Sequence, residues 1–320
     1  MASRMTQTAA DGTGAAGVTA GEEWFFRQAG PWERFRRSTW RFARTQPLGT
    51  AGLIFIVLLV FAAIFADSLR TSDPVDFGES ILIAPGSEHW FGTNRQGQDM
   101  WSRVIYGARP ALQIGLGAVV VSLVAGTLLA LLAGFLGGIV DMIISRFIEV
   151  IMCLPAILWA LVLVSAADDI PGMKARSVRA LVLAISIGLV PVIARIVRGN
   201  VIQERVRPYV ESARVIGASE ARIMARHILP NLAPLLIIVA SATLPAAILA
   251  EAGLSFLGLG LQQGDPSWGG DLGGQARALF RSYWWLPVFP GLALSLTVLA
   301  FNLLGDSLRD VFDPRLRGAR

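Results

Sequence analysis

The chain has few charged residues, one cysteine, two histidines and one lysine, and each shortage excludes a class of protein or site. Charged residues make up 16% of the 320 residues, against about a quarter in soluble domains. The single cysteine, Cys153, excludes an internal disulfide and a cysteine-based metal site. His89 and His227 fall on opposite sides of the membrane in the topology derived below, so they cannot share a metal ion.

The shortage of lysine bears on nucleotide binding. Lys174 lies in IPGMKAR, outside the G-x-x-x-x-G-K-[ST] pattern of a phosphate-binding loop. The HExxH pattern of zinc proteases and the GxSxG pattern of serine hydrolases do not occur in the sequence either. The sequence therefore predicts that the chain is not an enzyme, and that it has no catalytic residue, no cofactor and no metal site.

Apolar residues are abundant and occur in long runs. They make up 54% of the chain, and its mean hydropathy is +0.57. Runs of this length match the thickness of a bilayer, so the predicted fold is an all-α integral membrane protein with six transmembrane helices. The predicted spans are 48–66, 111–140, 150–167, 180–194, 232–250 and 286–304. Pro155 is expected to kink the start of the third span.

None of the six predicted spans contains a charged residue. Charges inside a membrane usually mark ion or proton pathways, which argues against a carrier driven by protons or sodium through an acidic site. A carrier that uses backbone carbonyls, or a channel, stays open. A pump with these spans would take its energy from another protein.

The segments between the spans are polar, and we expect them to be irregular. Residues 141–149 read as a short polar turn, and 251–285 as a glycine-rich loop or re-entrant region. Residues 1–22 resemble a disordered tail. Residues 24–44 alternate aromatics with arginines, which favours an amphipathic helix at the membrane interface over nucleic-acid binding.

The basic residues are distributed unevenly across this topology. Six spans put both termini on one side, and that side holds 19 of the 28 lysines and arginines. Because cytoplasmic loops are enriched in these residues, both termini and the segment 195–227 are predicted to be cytoplasmic. This topology also accounts for the net charge of +5 without a nucleic-acid partner.

The predicted cytoplasmic segment 207–230 is charged and lies between long apolar runs. Pro208 suits the first turn of a helix and Gly217 the position just after its end. Ser219 suits the N-cap of a second short helix. The segment is either a rigid amphipathic element that a soluble partner can grip, or an ordinary basic loop.

The same segment, ESARVIGASEARIMARHILPN, resembles the EAA loop of bacterial ABC-importer permeases. Glu211, Ser212 and Ala213 occupy the EAA positions, and Gly217 occupies that of the glycine. Leu229-Pro230 matches the final LP. Serine replaces an alanine at the second position, and a histidine stands near the end, as in the RHILPN version of the peptide-permease branch.

Other stretches resemble the dipeptide, oligopeptide and nickel branch of that family. HWFGTNRQGQDMWSRVIYGAR resembles HxFGTDxxGRDxxSRxxxGAR, with Asn94 and Gln98 in place of its Asp and Arg. EAGLSFLGLGLQQGDPSWG and FPGLALSLTVLAFNLLGDSLRDVFDPRLR are also similar. The resemblance covers roughly 46–318, and it identifies the chain as similar to the shorter membrane subunit of the peptide-permease pair.

The resemblance implies a type I importer permease fold in a bacterial inner membrane, with both termini in the cytoplasm. It implies a second homologous permease, two cytoplasmic ATPases that hydrolyse ATP, and an extracytoplasmic binding protein that delivers short peptides. The residues that it assigns to ATPase coupling are Tyr209, Glu211, Ser212, Ala213, Arg214, Ile216, Gly217, Leu229 and Pro230.

Residues on the predicted outer side are expected to form a gate or a docking surface for the binding protein. They are Asp99, Arg103, Arg109, Glu251, Ser255, Phe256, Pro266 and Trp268. Two alternatives stay open here. LSFLGLG is otherwise a tight glycine-permitted turn without substrate contact, and Asp99, Arg103 and Arg109 otherwise form a local ion-pair cluster.

The chain is accordingly divided into four parts. They are a cytoplasmic tail with the interfacial segment (1–45), the first span with an extracytoplasmic segment (46–110), the core permease domain (111–305) and a cytoplasmic tail (306–320). Two alternative functions remain. One is an importer of nickel or another small solute from the same family, and the other is an autonomous secondary carrier.

Overall fold

The computed structural model describes residues 44–262 and 264–312. The predicted tail at 1–22, nearly all of the interfacial segment at 24–44 and the final eight residues lie outside that range. Contacts divide the chain into 1–45 and 46–320, and the second unit is described below. Its secondary structure is helical within the described residues, where the only β contact is an isolated bridge between Thr93 and Asp99.

Twelve α-helices are found within the described residues. They are α1 (Pro47–Ile64), α2 (Ala66–Leu69), α3 (Met100–Leu131), α4 (Gly138–Met152), α5 (Ala156–Ser165), α6 (Val178–Arg205), α7 (Pro208–Val215), α8 (Glu220–Ile223), α9 (Leu229–Phe256), α10 (Trp268–Leu272), α11 (Gly274–Leu279) and α12 (Trp285–Phe312). Helix α3 continues as a π-helix over Leu132–Leu136, and a second π-helix over Met224–Ile228 joins α8 to α9.

Five helical stretches are long and apolar enough to cross a membrane. They are Pro47–Ile64, Met100–Leu136, Val178–Arg205, Glu220–Phe256 and Trp285–Val311. Helices α4 and α5 together make a sixth candidate that is bent by 82°. The prediction of an all-α membrane protein with six spans is confirmed, with one span broken.

Glycines bring the longest helices close together. A Cβ at Gly126 would lie 2.9 Å from Ile193 Cγ2, and a Cβ at Gly134 would lie 2.9 Å from Val201 Cβ. Both contacts join α3 to α6. Small residues allow such close approach where there is no hydrophobic driving force between helices in lipid.

The third span differs from the prediction. Residues 141–149 are not a polar turn but belong to α4. The helix breaks at Pro155, where the sequence predicts a kink. Proline cannot donate the backbone hydrogen bond that would continue the helix. Trp159 Nε1 donates to the Ile151 carbonyl across the break at 2.8 Å, and this bond holds the bend.

Helices α3 and α9 extend beyond the predicted ends of their spans. Helix α3 begins at Met100, so the boundary drawn after residue 110 falls inside it. Helix α9 ends at Phe256, so Glu251 is helical. The prediction that the glycine-rich loop begins at Glu251 is therefore wrong. A charged residue at the end of an apolar run predicts the end of a span. Glu251 is instead buried, and it accepts a hydrogen bond from Ser255.

The two ends of the helix bundle carry different structures. At one end α6, α7 and α8 meet the last turns of α3. At the other end, the segments 70–99 and 257–284 cover the start of α3 and the end of α9; we call these two segments the cap. The sequence-predicted residues divide between the two ends, and each group is described in turn.

Candidate functional site

Helix α7 is a short rod with defined stops. Pro208 is its first residue, where a missing N–H costs no hydrogen bond. After Ile216 the chain turns through Gly217, whose φ is +82°. The Gly217 amide donates to the Arg214 carbonyl at 2.9 Å, and the Ala218 amide donates to the Ala213 carbonyl at 3.0 Å. This is a Schellman motif, so both predicted ends of the helix are confirmed.

One face of α7 is buried in the bundle. Val210 is fully buried and Ala213 nearly so, and both pack in an apolar cluster with Ile223, Ile228 and Phe135. Val210 and Ala213 are three residues apart and therefore share a helix face. Removing their apolar surface from water stabilises the position of α7 against the bundle.

The opposite face of α7 is exposed. Glu211, Ser212 and Arg214 are exposed, and Val215 and Ile216 expose 86% and 83% of their surface. Within the part of the chain that the structure describes, no salt bridge involves Glu211. The exposed face thus combines one acid with two adjacent aliphatic side chains, a composition that suits a protein contact.

Polar contacts attach α7 to the neighbouring helices. Tyr209 Oη donates to Glu204 Oε2 of α6 at 2.8 Å, and Arg207 forms a 3.3 Å ion pair with the same carboxylate. The Arg214 guanidinium lies 5.3 Å from the centre of the Phe135 ring. Burial raises the pKa of Tyr209, so its hydroxyl stays protonated and can donate at neutral pH.

The helices around α7 are connected to one another as well. Arg198 of α6 makes two hydrogen bonds to Asp141 of α4, at 2.5 and 2.6 Å. Phe135 and Ile228, which contact α7, lie in the two π-helical stretches. Such stretches are frequent at functional sites, and nothing in the sequence indicated them.

The second half of the predicted loop is the start of a long helix. Ser219 occupies the N-cap position of α8 but makes no side-chain capping bond. The helix then continues through the π stretch into α9, so it is not a separate short helix. Leu229 is half-buried beside the α7 cluster, and Pro230 is exposed in the first turn of α9.

In the cap, Arg103 joins several segments. Its Nε and Nη2 donate to Asp271 Oδ1 at 2.9 and 2.6 Å. Its Nη1 donates to the Pro74 carbonyl and Gln98 Oε1, both at 2.9 Å, and to the Gly264 carbonyl at 3.0 Å. A single buried guanidinium therefore links α3, α10 and both cap segments.

Asp99, Arg103 and Arg109 do not form the ion-pair cluster that the sequence suggested, because each has its own partners. Asp99 accepts from Ser102 and Thr71 and lies 3.0 Å from His89 Nδ1. Arg109 pairs with Asp67 at 2.7 Å.

The ion pair between Arg109 and Asp67 stabilises the ionised form of Asp67. The Arg109 guanidinium, together with the Tyr106 hydroxyl, holds the pKa of the Asp67 carboxyl below its usual range. Asp67 is therefore ionised at neutral pH, and the pair joins the short helix α2 to α3.

The remaining predicted residues of this end differ in exposure. Glu251, Ser255 and Trp268 are buried; Ser255 Oγ donates to Glu251 Oε1 at 2.7 Å, and Trp268 Nε1 donates to the Val104 carbonyl at 2.8 Å. Phe256 is exposed and Pro266 half-buried. Direct contact with a partner is therefore open to Phe256 and Pro266, while the three buried residues hold the cap together.

LSFLGLG forms a glycine-dependent turn at the end of α9. Gly258 has a φ of +82°, its amide donates to the Ser255 carbonyl, and the Leu259 amide donates to the Leu254 carbonyl. The predicted alternative, a tight turn, is therefore present, and it has the same pair of backbone hydrogen bonds as the turn at Gly217.

Sequence reasoning missed two residues. Asp271, the partner of Arg103, is 168 positions away in the chain, and no local pattern connects two such distant residues. The second is Val215, which lies on the exposed face of α7. The spacing Glu211–Val215 places both on one helix face, and that signal could have indicated a mixed acidic and apolar surface.

Comparisons with known proteins agree on one family. Residues 126–318 match the family described as binding-protein-dependent transport system inner membrane component. The chain is 38% identical over 288 residues to the dipeptide transport system permease protein DppC of Alkalihalophilus pseudofirmus, covering 90% of this chain and 91% of that protein.

Two further relatives are glutathione transport system permease proteins named GsiD. That of Escherichia coli is 38% identical over 290 residues, and that of Pectobacterium atrosepticum is 39% identical over 289. Each alignment covers 90% of this chain and 92% of the relative. The similarity therefore extends over nearly the whole length of each protein and includes both ends of the helix bundle.

Proposed function

The chain belongs to the family of binding-protein-dependent transport system inner membrane components, and from this premise we propose that it is a permease subunit of an ATP-driven importer for short peptides. The relatives named for dipeptide and glutathione transport support the substrate class. The chain is a multi-pass membrane protein, and ATP hydrolysis belongs to partner subunits in this proposal.

The exposed face of α7 carries the proposal. Val215 and Ile216 are more than four-fifths exposed beside Glu211, which makes no salt bridge with another described residue, on a helix whose other face is buried. Burying those two side chains against a partner would contribute about 1.5–3 kcal/mol each. We assign this face to the cytoplasmic ATPase, with Glu211 facing a basic group or backbone donors.

The attachments of α7 explain how a movement of the ATPase would reach the membrane. Only Val206 and Arg207 separate α7 from α6, and Ile216 to Ser219 separate it from α8. Packing of Val210 and the bond from Tyr209 make α7 rigid relative to both long helices. A rigid connection transmits displacement, whereas a flexible loop would absorb it.

The other partners are proposed from the family. A second, homologous permease completes the translocation path, and an extracytoplasmic binding protein delivers the peptide at the cap. Phe256, Pro266 and Arg109 are predicted docking residues that remain accessible on that side. With the termini and α7 in the cytoplasm, the cap faces outward.

Charge reversal at Glu211 tests the ATPase contact. We expect Glu211→Lys to leave the amount of inserted permease unchanged, because the side chain is exposed and forms no ion pair within the described part of the chain. Copurification of the ATPase subunits and ATP-driven peptide uptake in proteoliposomes should both fall by tenfold or more, about 1.4 kcal/mol of coupling.

Glu79→Lys is the matched control, since Glu79 is an exposed acid in the cap, at the other end of the bundle. It should retain the ATPase subunits. Normal uptake by Glu211→Lys would overturn the assignment of α7. Uptake by this chain alone, without ATPase subunits, would instead support an autonomous carrier, and a binding protein that carries nickel would support a nickel importer.

A further inference from the structure

The cap lines a cavity to which the proposed function assigns no ligand. Its volume is about 530 Å³, within the range of about 300–1,000 Å³ that is common for small-molecule sites. Its rim includes two aromatic side chains, Phe77 and Phe256, of which Phe77 is 81% exposed. Its polar lining includes Arg103, Asp265 and Asp271.

All three nitrogens of the Arg103 guanidinium already donate hydrogen bonds within the protein. Nε, Nη1 and Nη2 of Arg103 all donate to carbonyl or carboxylate oxygens of the cavity wall. A ligand carboxylate would have to displace those bonds. The cavity therefore does not select an anionic group, although it contains an arginine.

Acceptors, in contrast, remain free. The Asp271 side chain is more than nine-tenths buried, and its Oδ2 has no hydrogen-bond donor among the described residues. Burial raises the pKa of this carboxyl, and the charge and hydrogen bonds of Arg103 oppose the rise.

The cavity lining includes a second acidic residue, Asp265, whose backbone carbonyl lies near the same guanidinium. Arg103 Nη2 reaches both Asp271 Oδ1 at 2.6 Å and the Asp265 carbonyl at 3.4 Å. Asp265 is exposed, and none of the salt bridges between described residues includes it. The ionisable residues that line the cavity are Arg103, Asp265 and Asp271, so the formal charge of the lining is −1.

We propose that this cavity binds the α-ammonium group of the incoming peptide before the peptide enters the translocation path. The ammonium has three N–H donors and one positive charge, which matches an orphan acceptor and an unpaired carboxylate. Phe77 and Phe256 at the rim contact the first side chains. The inference rests on the proposed peptide transport and adds an acceptor site on the permease itself.

The test uses the wild-type membrane complex in nanodiscs without binding protein, titrated with three peptides by saturation-transfer NMR. Dialanine has both charged ends, dialanine amide lacks the carboxylate, and N-acetyl-dialanine lacks the ammonium. We expect dialanine and its amide to bind with similar affinity and the acetylated peptide to give no saturable signal.

Asp265→Asn locates the site, since it removes the charge and keeps the shape of an exposed side chain. The dissociation constant for dialanine should rise about tenfold to a hundredfold, the expected effect of losing one hydrogen bond to a charged group. Asp271→Asn should act in the same direction in a complex that still elutes as wild type. Glu79→Gln, an exposed acid of the cap outside the cavity lining, should change nothing.

Equal binding of the acetylated peptide, loss of binding by the amide, or equal constants for Asp265→Asn and Glu79→Gln would overturn the proposal. ATP-driven uptake by the wild-type complex is measured separately with the binding protein present. If uptake is intact and the cavity does not bind dialanine, only this inference fails. If no peptide is taken up, the proposed function fails.

Discussion

Gly217 and Gly258 are two residues that are needed for their backbone conformation. Each has a φ of +82° and ends a helix with the same pair of backbone hydrogen bonds. A Cβ at either position would meet nothing within 4 Å, so space does not require glycine there. The left-handed conformation does, because it costs other L-residues roughly 1–2 kcal/mol.

Gly217→Ala should therefore loosen α7 without a steric clash. We expect amide hydrogen exchange over 208–218 to accelerate about 5–30-fold, which corresponds to about 1–2 kcal/mol. Gly217→Asn should lie between alanine and wild type, since asparagine tolerates this conformation better. Gly199→Ala is the control, because Gly199 is a helical glycine with open space around it. Unchanged exchange in Gly217→Ala would show that φ at this position does not limit the helix.

At the scale of elements, the sequence predicted what is encoded locally. The apolar runs predicted the spans, and Pro208 with Gly217 predicted the two ends of α7. Pro155 predicted the bend between α4 and α5, but the helix α4 itself was not predicted, because charges such as Asp141 and Glu149 suggest a loop. In the structure Asp141 pairs with Arg198 of another helix, and Arg103 likewise pairs with Asp271, 168 residues away. Such partners are set by packing, which local patterns do not contain.

The bend between α4 and α5 depends on a close approach to α6, and this can be tested. A Cβ at Gly188 would lie 2.6 Å from Ala156 Cβ, the first residue after the break. Gly188→Ala should overpack this contact and cost about 1–3 kcal/mol, seen as a lower thermal aggregation midpoint in detergent. Gly199→Ala, in the same helix but without a neighbour within 4 Å, should match or exceed wild type. Equal midpoints for the two variants would mean that α5 shifts freely.

At the scale of the whole molecule, the two ends of the bundle have different composition and different proposed partners. One end exposes a rigid α7 with an acid and two aliphatic residues, and the other encloses an acidic cavity in the cap. The same long helices α3, α6 and α9 connect both ends. A movement of α7 therefore acts on a set of helices of which α3 and α9 also line the cavity, which suits the proposed link between ATP hydrolysis on partner subunits and peptide uptake.

This arrangement requires α7 and the cap to face opposite sides of the membrane, with α7 inside. In a Cys153→Ala background, Val215→Cys should react with a membrane-impermeant maleimide only in inside-out vesicles, and Glu79→Cys only in right-side-out vesicles. Both positions are exposed in the structure, and both should react fully in detergent. Because the excess of basic residues on the α7 side predicts this orientation, the reverse labelling pattern would contradict it and the ATPase contact together.

Added ATPase subunits should protect Val215→Cys in inside-out vesicles, whereas unchanged labelling would remove α7 from that interface.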